Sequence, residues 1–160
     1  MSYDKFYRFY DVVMGDRSDA AGYIAGLIAH NKPDTTTVLE IACGTGTIMG
    51  FLSASYDVTG LDRSRPMLAV ARKKLPHVRF FRQDMTSFRI ARRFDAIVCV
   101  FDSINHLLRF ADWRKVFRRV AWHQRSRVRV GIEHSDHSTQ RENKRAGHAL
   151  GMELCRWHPG

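Results

Sequence analysis

One stretch constrains this chain more than any other: Val38-Leu-Glu-Ile-Ala-Cys-Gly-Thr-Gly-Thr47. Thr37 to Ala42 is a short, apolar, β-branched run, which predicts a buried strand. Gly44 and Gly46 interrupt it, and Ile48, Phe51 and Leu52 open a helical face. A strand that passes through glycines into a helix start leaves free backbone N–H groups at the turn, and the missing side chains let a ligand reach the backbone. This is a nucleotide-binding layout, of the kind that sits at the carboxyl ends of strands in an open α/β sheet.

The rest of the first 123 residues repeats the alternation. Ala20, Ile24, Leu27 and Ile28 stand at helical spacing, with Asp16 or Ser18 as caps, and Asn31-Lys32-Pro33-Asp34 ends that helix. Tyr56 to Leu61 reads as a second strand closed by Asp62. Ser64 caps a helix with Pro66 in its first turn; its apolar side is Leu68, Ala71 and Leu75, leaving Arg72, Lys73 and Lys74 toward water. Val78 to Phe81 is a third strand leading to Asp84, and Asp95 to Phe101 a fourth, apolar on both faces as a central parallel strand is. Asp112 caps a last helix carrying Trp113, Val116, Phe117, Val120 and Ala121 on one face. Strands separated by helices imply a single Rossmann-like α/β domain with a parallel sheet and flanking helices.

Composition matters at two points. The formal net charge is +10 with a pI near 10.1, but Lys and Arg are spread along the chain, so the charge reads as a solvated basic surface before it reads as a nucleic-acid footprint. The second point is a change of character after Trp122. Every Phe and Tyr precedes it, whereas His123, His134, His137, His148 and His158 follow it. Arg125 to Glu133 has the alternation of an edge strand, with Arg127 and Arg129 opposite Val128, Val130 and Ile132. Residues 1–123 are therefore expected to form the core and 124–160 an atypical, poorly ordered basic tail. Met1 to Lys5 mixes charged and aromatic residues, no apolar run approaches membrane-spanning length, and a cytoplasmic location is expected. Cys43, Cys99 and Cys155 lack zinc spacing and read as reduced thiols. No metal site is expected, and His134, His137 and His158 have neither a recognised spacing nor a flanking carboxylate.

Two acids sharpen the glycine turn. In a dinucleotide fingerprint the third glycine would stand at Met49, and Gly50 comes one residue late. Glu40, inside the first strand, offers nothing to a pyrophosphate but suits a cationic group, and Asp62 ends the second strand, where an acid can accept ribose hydroxyls.

At these residues the chain resembles the class I S-adenosylmethionine-dependent methyltransferases of the small-molecule type. Glu40-Ile-Ala-Cys-Gly-Thr-Gly46 is similar to their first motif, with Ala42 where the family often has a further glycine. Val58-Thr-Gly-Leu-Asp62-Arg-Ser64 followed by Pro66-Met67-Leu68 resembles the second, Asp84-Met85 the third, and Phe94-Asp95-Ala-Ile-Val-Cys-Val-Phe-Asp102-Ser-Ile-Asn-His106 the fourth. Tyr10-Asp11 is similar to the segment that closes over the cofactor. The resemblance implies that the Gly44–Gly46 backbone lies against the methionine part of S-adenosylmethionine. It likewise implies Glu40 near the ammonium, Asp62 on the ribose, Asp84 and Met85 at the adenine, and Tyr10, Ala42, Arg63 and Phe101 around the cofactor.

Methyl transfer requires mainly that the acceptor be held in line with the methyl group, and a base only if the acceptor arrives protonated. Asp102, Ser103, Asn105 and His106 follow the fourth strand, and His106 is the candidate base. The Asn/Asp-Pro-Pro-aromatic pattern that resembling enzymes use on nucleobase amines is absent, so a small-molecule acceptor is expected over nucleic acid. A cofactor-binding chain without turnover is the alternative, ahead of a nicotinamide oxidoreductase or an RNA methyltransferase. The resembling fold has strand order 3-2-1-4-5-7-6, so its last strands are expected to be largely missing here, through truncation or a shifted reading frame near Gln124.

Overall fold

The computed structural model describes residues 9–101, 103–125, 129–133 and 152–156. Asp102, His134, His137, His148 and His158, singled out above, lie outside these residues. Helices α1 (Tyr10–Met14) and α2 (Ser18–Asn31) lead into β1 (Thr37–Ile41), α3 (Thr47–Leu52), β2 (Asp57–Asp62), α4 (Arg65–Lys74), β3 (Arg79–Arg82) and β4 (Ala96–Val98). A 3-10 turn (Ser103–His106), α5 (Phe110–His123), β5 (Arg129–Glu133) and β6 (Met152–Arg156) follow.

The expected parallel sheet is present, in order β3-β2-β1-β4. β1 lies at its centre, with Val38 opposite Val58 of β2 and Ala96 of β4. Because strand side chains alternate, β1 feeds two cores. Val38 joins Ala21, Ile24 and Ile28 of α2 and Ile48, Met49 and Leu52 of α3. Leu39 and Ile41 join Phe88, Phe94, and Val116 and Val120 of α5. All five β1 residues are buried, and full burial of a Leu or Ile contributes roughly 1.5–3 kcal/mol. The period-3.6 stripes of α2 and α5 are what cover the two faces.

Several boundaries differ from the sequence expectation. β4 is only three residues long, because the chain turns after Val98. The last helix starts at Phe110 with Arg109 at its N-cap, so Asp112 stands in the first turn, paired with Lys115 at 2.7 Å. Ser64 does cap α4, accepting the Met67 N–H at 3.4 Å. Asp16 precedes α2 and accepts the Ser18 N–H and hydroxyl, both at 2.9 Å. Lys74 is exposed, as expected, and from that face it also reaches Asp11.

His123 is a core residue. It is fully buried, stacks on Phe88 at 4.4 Å, accepts the Ile90 N–H on Nε2 at 3.1 Å and donates from Nδ1 to the Arg119 carbonyl at 2.7 Å. Burial lowers its pKa, in keeping with that neutral tautomer. Directly after it, Phe94 N–H donates to the His123 carbonyl at 2.8 Å and Arg125 N–H to the Phe94 carbonyl at 2.9 Å, one parallel bridge beside β4. That bridge stands where the resemblance implies a fifth strand. β5 then pairs antiparallel with β6, a strand not expected from the sequence, and the two form a separate ribbon.

Candidate functional site

The glycine turn joins β1 to α3 in backbone conformations that L side chains resist. Ala42, Gly44 and Gly46 have φ of +57°, +53° and +74°. A Cβ on Gly46 would stand 3.3 Å from Leu75 and 3.4 Å from Ala71, so this glycine faces inward and lets α3 and α4 close together. A Cβ on Gly44 would meet only the Tyr10 ring edge, at 4.0 Å. Gly44 therefore keeps the turn open toward the site, and Gly46 is set back from it.

Asp62 organises the same turn from β2. Its Oδ2 accepts the Gly44 N–H at 2.8 Å and its Oδ1 the Ser64 N–H at 2.7 Å, and each oxygen keeps lone-pair capacity for a further donor. Glu40 is treated differently. It is 3% exposed, and its Oε2 is buried with no hydrogen-bond partner. Burial, reinforced by the Asp62 carboxylate, pushes the Glu40 carboxyl up to about 8. Burial also pushes the Cys43 thiol well up and the Cys99 thiol to about 12, so these two cysteines are held as thiols.

Two spaces that share part of their lining result. A cleft of about 430 Å³ is lined by Tyr10, Ala42, Gly44, Asp62, Arg63, Asp84, Met85, Phe101 and His106, nine of the residues expected at the site. Beneath the turn lies a recess of about 30 Å³, the size of one water or one ammonium group, to which Glu40, Ala42, Gly44 and Phe101 contribute. Of the expected set only Gly46 lines neither space. Asp84 spends Oδ1 on the Thr86 N–H and hydroxyl, at 2.8 and 2.6 Å, which leaves Oδ2 for another donor.

Sequence reading missed a clasp over the turn. Asp11 of α1 accepts from the hydroxyls of Thr45 and Thr47 and from Lys74 Nζ of α4 at 2.8 Å. Burial pushes the Asp11 carboxyl up, but these hydrogen bonds outweigh it and leave the group below its ordinary value. Arg17 was missed as well: its guanidinium lies 3.7 Å from the Phe101 ring centre, and the residue lines the recess. The Thr45 and Thr47 hydroxyls beside the glycines were the available signal; the pairing of Asp11 with Lys74, 63 positions apart, left none. Phe101 has φ +56°, a strained conformation that turns the chain from β4 back across the cleft toward Ser103 and His106.

Residues 38–126 match a family model described as a methyltransferase domain. The chain belongs to the methyltransferase-domain family. The class I S-adenosylmethionine-dependent resemblance drawn from its motifs is borne out, and the nicotinamide reading is displaced. Over 104 residues it is 38% identical to a dTDP-3-amino-3,6-dideoxy-alpha-D-glucopyranose N,N-dimethyltransferase of Streptomyces fradiae, covering 64% of this chain and 41% of that protein. The crystal structure of Streptomyces venezuelae DesVI superposes with a TM-score of 0.73 at 30% identity, over 83% of this chain and 57% of the other. An S-adenosylmethionine-bound amino pentose methyltransferase from Micromonospora echinaspora gives 0.71 at 30% identity, over 82% and 55%. The methyltransferase-domain chain thus spans about two fifths to just over half the length of these relatives. Among its described residues no cluster of His, Cys, Asp or Glu could hold a metal ion, and no helix is long and apolar enough to cross a membrane.

Proposed function

We propose that this methyltransferase-domain chain binds S-adenosylmethionine across the cleft and recess and serves methyl transfer to the amino group of a small molecule of the amino-sugar class. One observation carries the reading: a buried carboxyl with an orphan oxygen stands in a recess sized for one small polar group, directly beneath an open glycine turn. A cationic ligand group answers both the orphan oxygen and the like-charge pressure from Asp62. The remaining fittings agree. Asp62 has spare acceptor capacity for ribose hydroxyls, Asp84 Oδ2 for an adenine amino group, and Met85 offers apolar surface for the ring. Arg63, Tyr10, Ala42 and Phe101 complete the walls, with Gly46 acting through the turn. The amino-sugar assignment rests on the names of the relatives described above.

The cofactor supplies a methyl group already activated on a sulfonium. The protein's part is to hold the acceptor amine along the methyl axis and to exclude water. His106 and Ser103 border the cleft where the chain leaves β4, and His106 takes the proton if the amine arrives as ammonium. Nucleic acid is not favoured as acceptor.

Calorimetric titration with S-adenosylmethionine and with its demethylated product tests the reading, with Asp62→Ala as control. Saturable binding weakened at least about tenfold in the control is expected, since a hydrogen bond to a charged acceptor contributes about 1.5–3 kcal/mol. A folded protein that binds neither ligand would overturn it. Binding without methylation of a nucleotide-linked amino sugar would favour a second reading, a cofactor-binding chain without turnover.

A further inference from the structure

The recess beneath the glycine turn supports an inference about how the ligand enters, which rests on the cofactor reading above. Glu40 lies at the carboxyl end of β1, between Gly60 of β2 and Val98 of β4, and belongs to the wall of the recess. Its Oε2 has no donor. The titratable and charged groups around it come from every neighbouring element. Asp62 ends β2, Cys43 sits in the turn, Cys99 follows β4, Tyr10 and Asp11 belong to α1, and Arg17 precedes α2.

None of these neutralises a Glu40 carboxylate. Both thiols are held protonated, Asp11 is engaged by Lys74, and the Arg17 guanidinium lies over the Phe101 ring with its Nε donating to the Met14 carbonyl at 3.2 Å. The ionisable neighbour acting on Glu40 through space is Asp62, of like charge. A carboxylate buried this way, with an orphan oxygen and a like charge beside it, is costly, and the neutral acid relieves both costs.

We propose that Glu40 stands protonated before the ligand arrives and releases its proton to solvent when the ligand's ammonium group enters the recess. The Glu40 O–H bond breaks, the proton goes to buffer, and the carboxylate that remains pairs with an ammonium that keeps its own charge. Net charge is conserved: acid plus cation becomes ion pair plus proton. Proton release is then part of the binding equilibrium, and affinity rises with pH by up to about tenfold per unit while Glu40 remains mostly protonated. The rise ends at about 8, where Glu40 ionises without the ligand. An α-amino group titrates at about 7.7–8.0, so the ligand loses its own charge in the same range and binding is tightest near there. Below that range the site discriminates between ligands by their cationic group.

The experiment is calorimetric binding of S-adenosylmethionine and its demethylated product at about pH 6.5, in two buffers of different ionisation enthalpy, with the infrared difference spectrum of the same titration. The expected result is close to one proton released per ligand bound, with loss of a protonated-carboxyl band. Glu40→Gln should bind more weakly, release no proton and lack that band. Binding by the wild-type chain with no buffer dependence and an unchanged carboxyl band overturns this proposal and leaves the cofactor reading standing. Failure of the folded wild-type chain to bind either ligand removes both. The wild-type titration decides the matter even if Glu40→Gln does not fold.

Discussion

Two buried carboxyls on adjacent strands of this sheet meet opposite treatment. At the amino end of β4, Asp95 Oδ2 accepts the N–H and hydroxyl of Thr36, at 3.2 and 3.0 Å, and those of Thr37, at 3.0 and 2.7 Å. Burial pushes the Asp95 carboxyl up, but these donors outweigh it and bring it down to about 2. At the carboxyl end of β1, Glu40 has an oxygen with no donor and is pushed up to about 8. One end of the sheet has a completed polar network, which ties β1 to β4. The other has an incomplete one, in which the Glu40 oxygen faces a recess that can admit one small donor. A buried polar group that the fold leaves unsatisfied beside a cleft is a pointer to function, whereas a satisfied one is a pointer to architecture.

The contrast breaks first at Asp95. Replacing it with Ala strands two backbone N–H groups and two hydroxyls at the start of β1, and should destabilise the fold by about 3 kcal/mol. Cofactor affinity per folded molecule should stay within about twofold. Denaturant unfolding and calorimetry on the same samples check both, and a binding loss out of proportion to unfolding would erase the distinction between the two ends.

Next comes the pH dependence of the unliganded fold, in which the two groups act in different windows. Asp95, with its folded pKa below the unfolded value, contributes stability that is present above about 3.8 and lost as pH falls toward about 2. Glu40, with its folded pKa above the unfolded value, contributes stability that is full below about 4.5 and lost as pH rises through about 8. Glu40→Gln should therefore stabilise the unliganded protein at neutral pH, by on the order of 2 kcal/mol, and flatten the profile between about 4.5 and about 8. Thermal unfolding of the two proteins between about pH 5 and pH 9 reads this directly. An unchanged slope between about pH 5 and about 8 would mean that Glu40 is not the group responsible.

These two carboxyls also show what a sequence exposes and what it hides. Glu40 could be singled out because an acid in an apolar strand four residues before a glycine is chemically conspicuous. The ordered spacing of the strand runs then placed the parallel sheet, and the family resemblance carried by Asp62, Asp84 and their motifs implied the nine cleft residues. Asp95 was legible only as part of a motif, since its partners Thr36 and Thr37 lie 59 and 58 positions away. The Asp11–Lys74 clasp and the Arg17–Phe101 contact are of the same kind: they depend on tertiary approach and leave no local period to read. Element ends were misjudged for a related reason. The apolar run from Ala96 to Phe101 has strand composition throughout, but pairing stops at Val98 because the chain must turn across the cleft. His123 looked like part of the histidine-rich change of composition, and only its bonds to Ile90 and Arg119 identify it as a core residue.

The smallest expected effect concerns Ala42, whose departure from the family's glycine the sequence already showed. Its φ of +57° puts a Cβ in the left-handed region, which costs an L-residue roughly 1–2 kcal/mol. Glycine removes that strain but adds unfolded-state freedom worth roughly 0.5–1 kcal/mol. Ala42→Gly should therefore stabilise the protein by about 0.5–1 kcal/mol, measured by denaturant unfolding. Because Ala42 lines both cleft and recess, the lost methyl also relaxes the wall between them, and a change in affinity of no more than about twofold is expected. A destabilisation would show that the methyl group's packing against the turn outweighs its backbone strain. In that case the alanine would be part of how this chain shapes the recess around Glu40, and not merely a tolerated substitution.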